Sequence, residues 1–146
     1  MTYEEALKKL KDTGNIISMP RMTILKYVLE HKTHHTAESI YETLKKEYPS
    51  ISIATVYNTL KLFAKIGIVK QLMIDESKVY YDSNIYPHFH LKCTVCGKIY
   101  DVSPPICREL EGLKDIEGHI VNDAHVYFYG VCSDCRKNMT TGGEDT

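Results

Sequence analysis

The chain has 146 residues, is 43% hydrophobic and 25% charged, and carries a formal net charge of −1. That length allows one compact domain or two small ones joined by a metal. No apolar run approaches the ~20 residues needed to span a bilayer as a helix. Met1 to Asp12 is charged and amphipathic with no signal-peptide core, so the expected location is cytoplasmic and the expected partners include no membrane. The total charge hides an asymmetry: residues 1–86 carry 12 Lys/Arg against 10 Asp/Glu, and residues 87–146 carry 6 against 9. The first part is therefore the better candidate for a polyanion partner, and Pro87 lies at the change in composition.

The first part reads as a succession of helices. Ala6, Leu7 and Leu10 share one face of a segment from Tyr3 to Lys11, which Gly14 closes. Pro20 suits the first turn of a second helix that packs Ile24, Leu25, Val28 and Leu29 inward. Thr36 can N-cap a third helix with Ile40, Tyr41 and Leu44 as its stripe; Ser39 stands where a capping box prefers Glu, so that signal is partial. Ser52 caps a fourth helix, 53–66, stopped by Gly67. Ile53, Val56, Leu60 and Phe63 form its expected core face, and Ala54, Tyr57, Asn58, Lys61 and Lys65 recur on the opposite side.

That outer face is open to two readings, a solvated surface or a reader of the DNA major groove. Asn pairs with adenine, Tyr touches a thymine methyl or a phosphate, and Lys neutralises phosphate. The next segments favour the second reading. Residues 68–74 and 78–82 are β-prone runs around Asp75-Glu76-Ser77, a hairpin. Helices followed by such a hairpin make a winged helix-turn-helix, with Thr55, Tyr57, Asn58 and Lys61 as candidate DNA contacts.

After Pro87 the pattern is β-rich. Strands are expected at 88–92, 98–102 and 126–129, with a helix near 106–113 and a frayed tail from Thr140. Cys93-x-x-Cys96 and Cys132-x-x-Cys135 supply four thiolates, the number a structural zinc site takes. A thioredoxin-like redox pair also uses this spacing, but two matched pairs among five cysteines favour one shared zinc. The fifth, Cys107, reads as a packed thiol. His88 and His90 lie at i and i+2 of a strand, on one face, and can chelate a single ion while Phe89 packs behind. The whole is expected to be α+β: an N-terminal winged-helix domain over 1–82, a hinge over 83–87, a small α/β dimerisation and metal-binding domain over 88–140, and a tail over 141–146. A sheet this small is expected to bury an edge in a homodimer, which suits a two-fold symmetric double-stranded DNA operator.

The chain resembles the Fur family of metal-dependent repressors over nearly its whole length. The residues that carry the likeness are Thr55-Val56-Tyr57-Asn58-Thr59-Leu60, the run from His88 to Lys98, and Tyr129-Gly130-Val131-Cys132-x-x-Cys135. Within the family it looks most like the peroxide-sensing PerR branch. The resemblance implies a regulatory site of His34, Asp82, His88, His90 and Asp101, where iron-sensing relatives usually carry Glu at the last position. It also implies that His34 or His88 gains an oxygen when Fe(II) meets peroxide. His35, where such relatives often have Pro, stands as a competitor for the metal, and Ala124 replaces a histidine of an additional site found in iron sensors. Three imidazoles and two carboxylates suit Fe(II) or Mn(II), whereas four thiolates suit zinc.

The function expected is that of a DNA-binding, metal-dependent repressor responding to hydrogen peroxide, and not of an enzyme. The alternative is an iron- or zinc-responsive repressor of metal uptake. Zinc-dependent deamination is excluded because it needs a His-x-Glu, and His88-Phe89-His90 lacks the Glu. A plain zinc-stabilised interaction module would show no salt-dependent DNA binding.

Overall fold

The structure is a computed structural model that describes residues 1–86 and 88–141. It divides into two compact units, one spanning Met1–Ile85 and the other beginning at Tyr86. Pro87 of the expected hinge and residues 142–146 of the expected tail lie outside the described residues.

The first unit opens with α1 (Tyr3–Asp12), α2 (Met19–Glu30), the short strand β1 (His34–His35), α3 (Ala37–Leu44) and α4 (Ile53–Lys65), then β2 (Lys70–Asp75) and β3 (Lys78–Asp82). The caps explain the boundaries. Thr2 and Glu5 close a capping box on α1, and Ser18 caps α2, with Pro20 in its first turn. Thr36 and Ser39 form a complete box on α3, the hydroxyl of Ser39 serving where Glu is commoner. The Ser52 hydroxyl accepts the Thr55 N–H at 3.1 Å and starts α4. At its other end Gly67 takes φ +81°, and the Ile68 N–H reaches back to the Phe63 carbonyl at 2.8 Å, a Schellman closure that only a residue tolerant of the left-handed region permits.

The core of this unit packs Leu10, Ile24, Leu25, Val28, Ile40, Val56, Leu60, Phe63 and Ile68. Ile53 departs from expectation: it is exposed, because it is the first residue of α4 and has no preceding turn to cover it. Thr59, between Val56 and Phe63 on the inner stripe, is buried in its place. The strands form an antiparallel sheet in the order β1-β3-β2. The hairpin β2–β3 was expected and β1 was not. β1 pairs with β3 in the register His34↔Asp82 and His35↔Tyr81.

The second unit centres on β4 (Phe89–Cys93), flanked by β5 (Ile99–Val102) and β8 (Tyr127–Gly130) in the order β5-β4-β8. β4 and β5 are antiparallel and joined by the Cys93–Lys98 turn, whereas β4 and β8 are parallel and joined through α5 (Cys107–Glu111). A small hairpin, β6 (Asp115–Ile116) with β7 (His119–Ile120), turns on Glu117 and Gly118, both at positive φ. α6 (Ser133–Thr141) follows Cys132. It was not expected, because Ser-Asp-Cys-Arg-Lys-Asn-Met carries no apolar stripe. Cys107 is buried, as a packed thiol should be.

Removing the cap of α4 tests how far that helix depends on its local start signal. Ser52→Ala should lower the unfolding free energy by about 1 kcal/mol, read as a shifted urea midpoint with an unchanged slope.

Candidate metal centres

The four cysteines of the two pairs meet in the second unit. β4 ends at Cys93, and its Cys93 N–H donates to the Lys98 carbonyl across the turn at 2.9 Å, while Gly97 at φ +77° lets the chain reverse. The Thr94 N–H donates to the Gly130 carbonyl at 2.7 Å, which fixes the end of β8 beside this turn and delivers Cys132 two residues later. The sulfurs of Cys93, Cys96, Cys132 and Cys135 lie within 4.8 Å of one another, and Cys96 and Cys132 are 3.8 Å apart. Tetrahedral zinc with bonds of ~2.3 Å needs sulfurs about 3.8 Å apart, so the donor set fits that ion.

The hydrogen bonds around Cys93 and Cys132 favour thiolate. Backbone N–H groups of Cys132 and Cys96 point at the Cys93 sulfur, from 3.3 and 3.5 Å, and hold its pKa down to about 6. The Cys132 thiol is lowered first by the Tyr100 hydroxyl and then by the Cys135 N–H. The Cys135 thiol is pushed up to about 12, chiefly by its hydrogen bond with Cys132. A metal ion would remove that last proton, since it binds the thiolate. Tyr100 was not singled out in the sequence. Its pairing opposite Leu91 puts it on the face of β4 that carries Cys93, away from Asp101.

Of the five expected regulatory ligands, the first unit contributes His34 and Asp82 and the second His88, His90 and Asp101. In the first, the β1–β3 register sets His34 against Asp82, with Nε2 to Oδ2 at 3.7 Å. Asp82 is only 2% exposed, and its Oδ1 accepts the Asn84 N–H at 2.9 Å. In the second, His90 pairs with Asp101 across β4–β5. His88 and His90 bring their Nε2 atoms within 3.1 Å of each other, and each lies 3.4 Å from Asp101 Oδ1. Two imidazole nitrogens at that separation match adjacent donors on one ion with bonds of about 2.1 Å. The His88 Nδ1–H donates to the Tyr86 carbonyl, which leaves Nε2 as the ligand atom, the support a metal-bound histidine usually has.

His35 does not join this arrangement. Alternation along β1 turns it to the opposite side from His34. There it is buried, its Nε2 engaged by the His31 carbonyl and the Thr33 hydroxyl. Burial lowers its pKa. His125 is exposed, 2.9 Å from Asp123 and 3.2 Å from the Tyr127 hydroxyl, and His119 is exposed on β7. Of the expected DNA contacts on α4, Asn58 and Lys61 are exposed, Thr55 is half-buried, and Tyr57 is half-buried and packs in part against the core.

Loss of one sulfur should be read in bound metal. Cys96→Ser is expected to reduce the zinc retained by the purified chain to well below about one ion and to lower its melting temperature. Cys107→Ala should retain the full complement, measured by elemental mass spectrometry.

Residues 12–129 match the Ferric uptake regulator family. The Peroxide-responsive repressor PerR of Staphylococcus aureus is 39% identical over 134 residues, covering 91% of this chain and 90% of that protein. Among solved structures, PerR from Streptococcus pyogenes is similar with a TM-score of 0.53 and 32% identity, over 91% of this chain and 92% of that one. The iron-containing Ferric uptake regulator of Francisella tularensis is similar with a TM-score of 0.70 and 28% identity, over 84% and 96%. With the helical first unit, the β-rich second unit and the four-cysteine cluster in place, the chain belongs to the ferric uptake regulator family and is a metal-dependent transcriptional repressor, not an enzyme.

Proposed function

We propose that the protein represses transcription as a DNA-bound homodimer and releases DNA when hydrogen peroxide oxidises a histidine of its regulatory metal site. The observation that carries this reading is the ligand chemistry. His34 with Asp82 offers two donors, His88 and His90 with Asp101 offer three, and neither group alone fills the shell of a five- or six-coordinate ion. Both groups serve one Fe(II) or Mn(II), and the four thiolates hold zinc. An ion ligated by residues of both units favours the arrangement of those units in which all five donors reach it. DNA that selects the same arrangement is then linked to metal occupancy.

Fe(II), when held by these residues, would supply the one-electron chemistry that cleaves peroxide and would be back at Fe(II) once the ring is oxidised. The protein supplies the oxidisable groups: the imidazole of His34 or His88 takes up one oxygen atom, the second leaves as water, and the ring loses two electrons. An oxidised imidazole is a poorer donor, so the five-ligand set fails and the linkage to DNA is lost. Mn(II) supports repression without this step.

DNA is read by α4, with Thr55, Tyr57, Asn58 and Lys61 facing the major groove. Its N-terminal half follows α3 as the second helix of a helix-turn-helix. Dimerisation falls to the second unit. Phe128, Tyr129 and Val131, on and just after the edge strand β8, are exposed apolar side chains that a partner copy would cover. The working location is the cytoplasm, where the thiolates stay reduced.

An iron-responsive repressor of metal uptake is the second reading, supported by the likeness to the iron-containing Francisella tularensis regulator. Asp101, rather than Glu, stands against it.

One experiment separates the two. After loading with Fe(II) and adding equimolar peroxide, peptide mass spectrometry should find one added oxygen on the His34 or His88 peptide, and none with Mn(II). Unmodified histidines with both metals would leave the iron-responsive reading. In DNA-binding titrations, His34→Ala and Asp82→Ala should stay folded and lose metal-dependent binding, at least tenfold at limiting Mn(II). A His34→Ala protein that binds as the parent does would remove His34 from the site.

A further inference from the structure

Tyr57 is not a free side chain on the outer face of α4. Its hydroxyl donates to the carboxylate of Glu38, nineteen residues earlier in the chain, in the first turn of α3. The anchor is well defined. The Thr36–Ser39 capping box fixes the first turn of α3, and buried Ile40 and Leu44 on α3 pack with Val56 and Leu60 on α4 in one core. The backbone on both sides of the hydrogen bond is thus set before the bond forms. Glu38 is exposed and has Lys78 of β3 nearby, and its carboxyl is held below the usual range, first by the Tyr57 hydroxyl.

We propose that Glu38 is a specificity-determining residue that presets Tyr57 on the recognition helix, committing the hydroxyl inside the protein and leaving the ring edge as an apolar reader of a thymine methyl. This rests on the reading of α4 as the DNA-contacting helix. The chemistry follows from the donor count. A tyrosine hydroxyl has one proton, and here it goes to Glu38, so Tyr57 has none to give to a phosphate. Phosphate contacts carry no sequence information, whereas apolar contact with the thymine methyl does. A carboxylate beside a DNA-facing surface weakens binding to every sequence through repulsion of phosphate. Glu38 is in that position, and its return is discrimination.

The two effects have opposite signs, which makes the test decisive. The probes are a duplex recovered by in-vitro selection with the full-length Mn(II)-loaded protein and the same duplex with its sequence scrambled, titrated by fluorescence anisotropy at fixed salt. Glu38→Ala should weaken binding to the selected duplex by about tenfold, the size of one coupled contact, while binding to the scrambled duplex stays equal or tightens. Glu38→Gln, which keeps a carbonyl acceptor, should retain more of the discrimination. Tyr57→Phe should lose as much as Glu38→Ala, and the double variant should be no worse than either single one. Tightening of both duplexes by the same factor in Glu38→Ala would overturn the proposal and leave Glu38 as a mere repulsive charge. Additive losses in the double variant would also overturn it. If the parent protein bound neither duplex with metal, the DNA-binding reading itself would fail, an outcome distinct from unchanged discrimination in the variants.

Discussion

The convergence of four cysteine sulfurs is the constraint on which the second unit depends, because that unit has little else to hold it. Its buried apolar positions among the described residues are Cys93, Cys107 and Cys132, whereas the first unit closes a core of leucine, isoleucine, valine and phenylalanine from all four of its helices. A domain of this size with so small a core is marginal without a metal or a partner. The sulfur cluster ties the end of β4 to the start of α6 and so closes the parallel β4–β8 pairing, whose two strands are separated by a long crossover. Chain segments that would separate at little loss of buried surface are thereby held in one register.

That register then positions the second group of donors. Cys93 is the last residue of β4, and His90 lies three residues before it on the opposite face. Pinning β4 at its cysteine end aligns His90 with Asp101 across the hairpin and brings His88 to the same carboxylate. The thiolates and the imidazoles therefore take opposite faces of one strand: soft donors that suit zinc on one, harder donors on the other. Tyr100 and Asp101, adjacent on β5, repeat the division, the hydroxyl of Tyr100 towards Cys132 and the carboxylate of Asp101 towards the two histidines.

The first unit uses a different device. Two residues, His34 and His35, add to the edge of the hairpin and convert it to a three-stranded sheet. Pairing with β3 places His34 against Asp82, and the next turn of chain, capped by Thr36, starts α3. The His34–Asp82 pair and the first turn of α3 with Glu38 are thus close in sequence, and the Tyr57 hydroxyl reaches Glu38 from α4.

Much of this was legible in the residues alone. The first-turn proline Pro20, caps at Thr36 and Ser52, the glycine stops at Gly14 and Gly67, and the two matched cysteine pairs are local signals, because a helix end or a thiolate pair needs only its near neighbours in the chain. His88 and His90 are on one face of a strand for the same reason. What depended on tertiary structure was pairing at a distance. The two-residue strand β1 has no periodicity to reveal it, and α6 has no apolar stripe. The pairing of His34 with Asp82 and the bond from Tyr57 to Glu38 follow from which strand or helix lies alongside. Local pattern determined the elements and the donor chemistry; the contacts between elements decided which donors meet, because meeting requires residues far apart in the chain to share one surface.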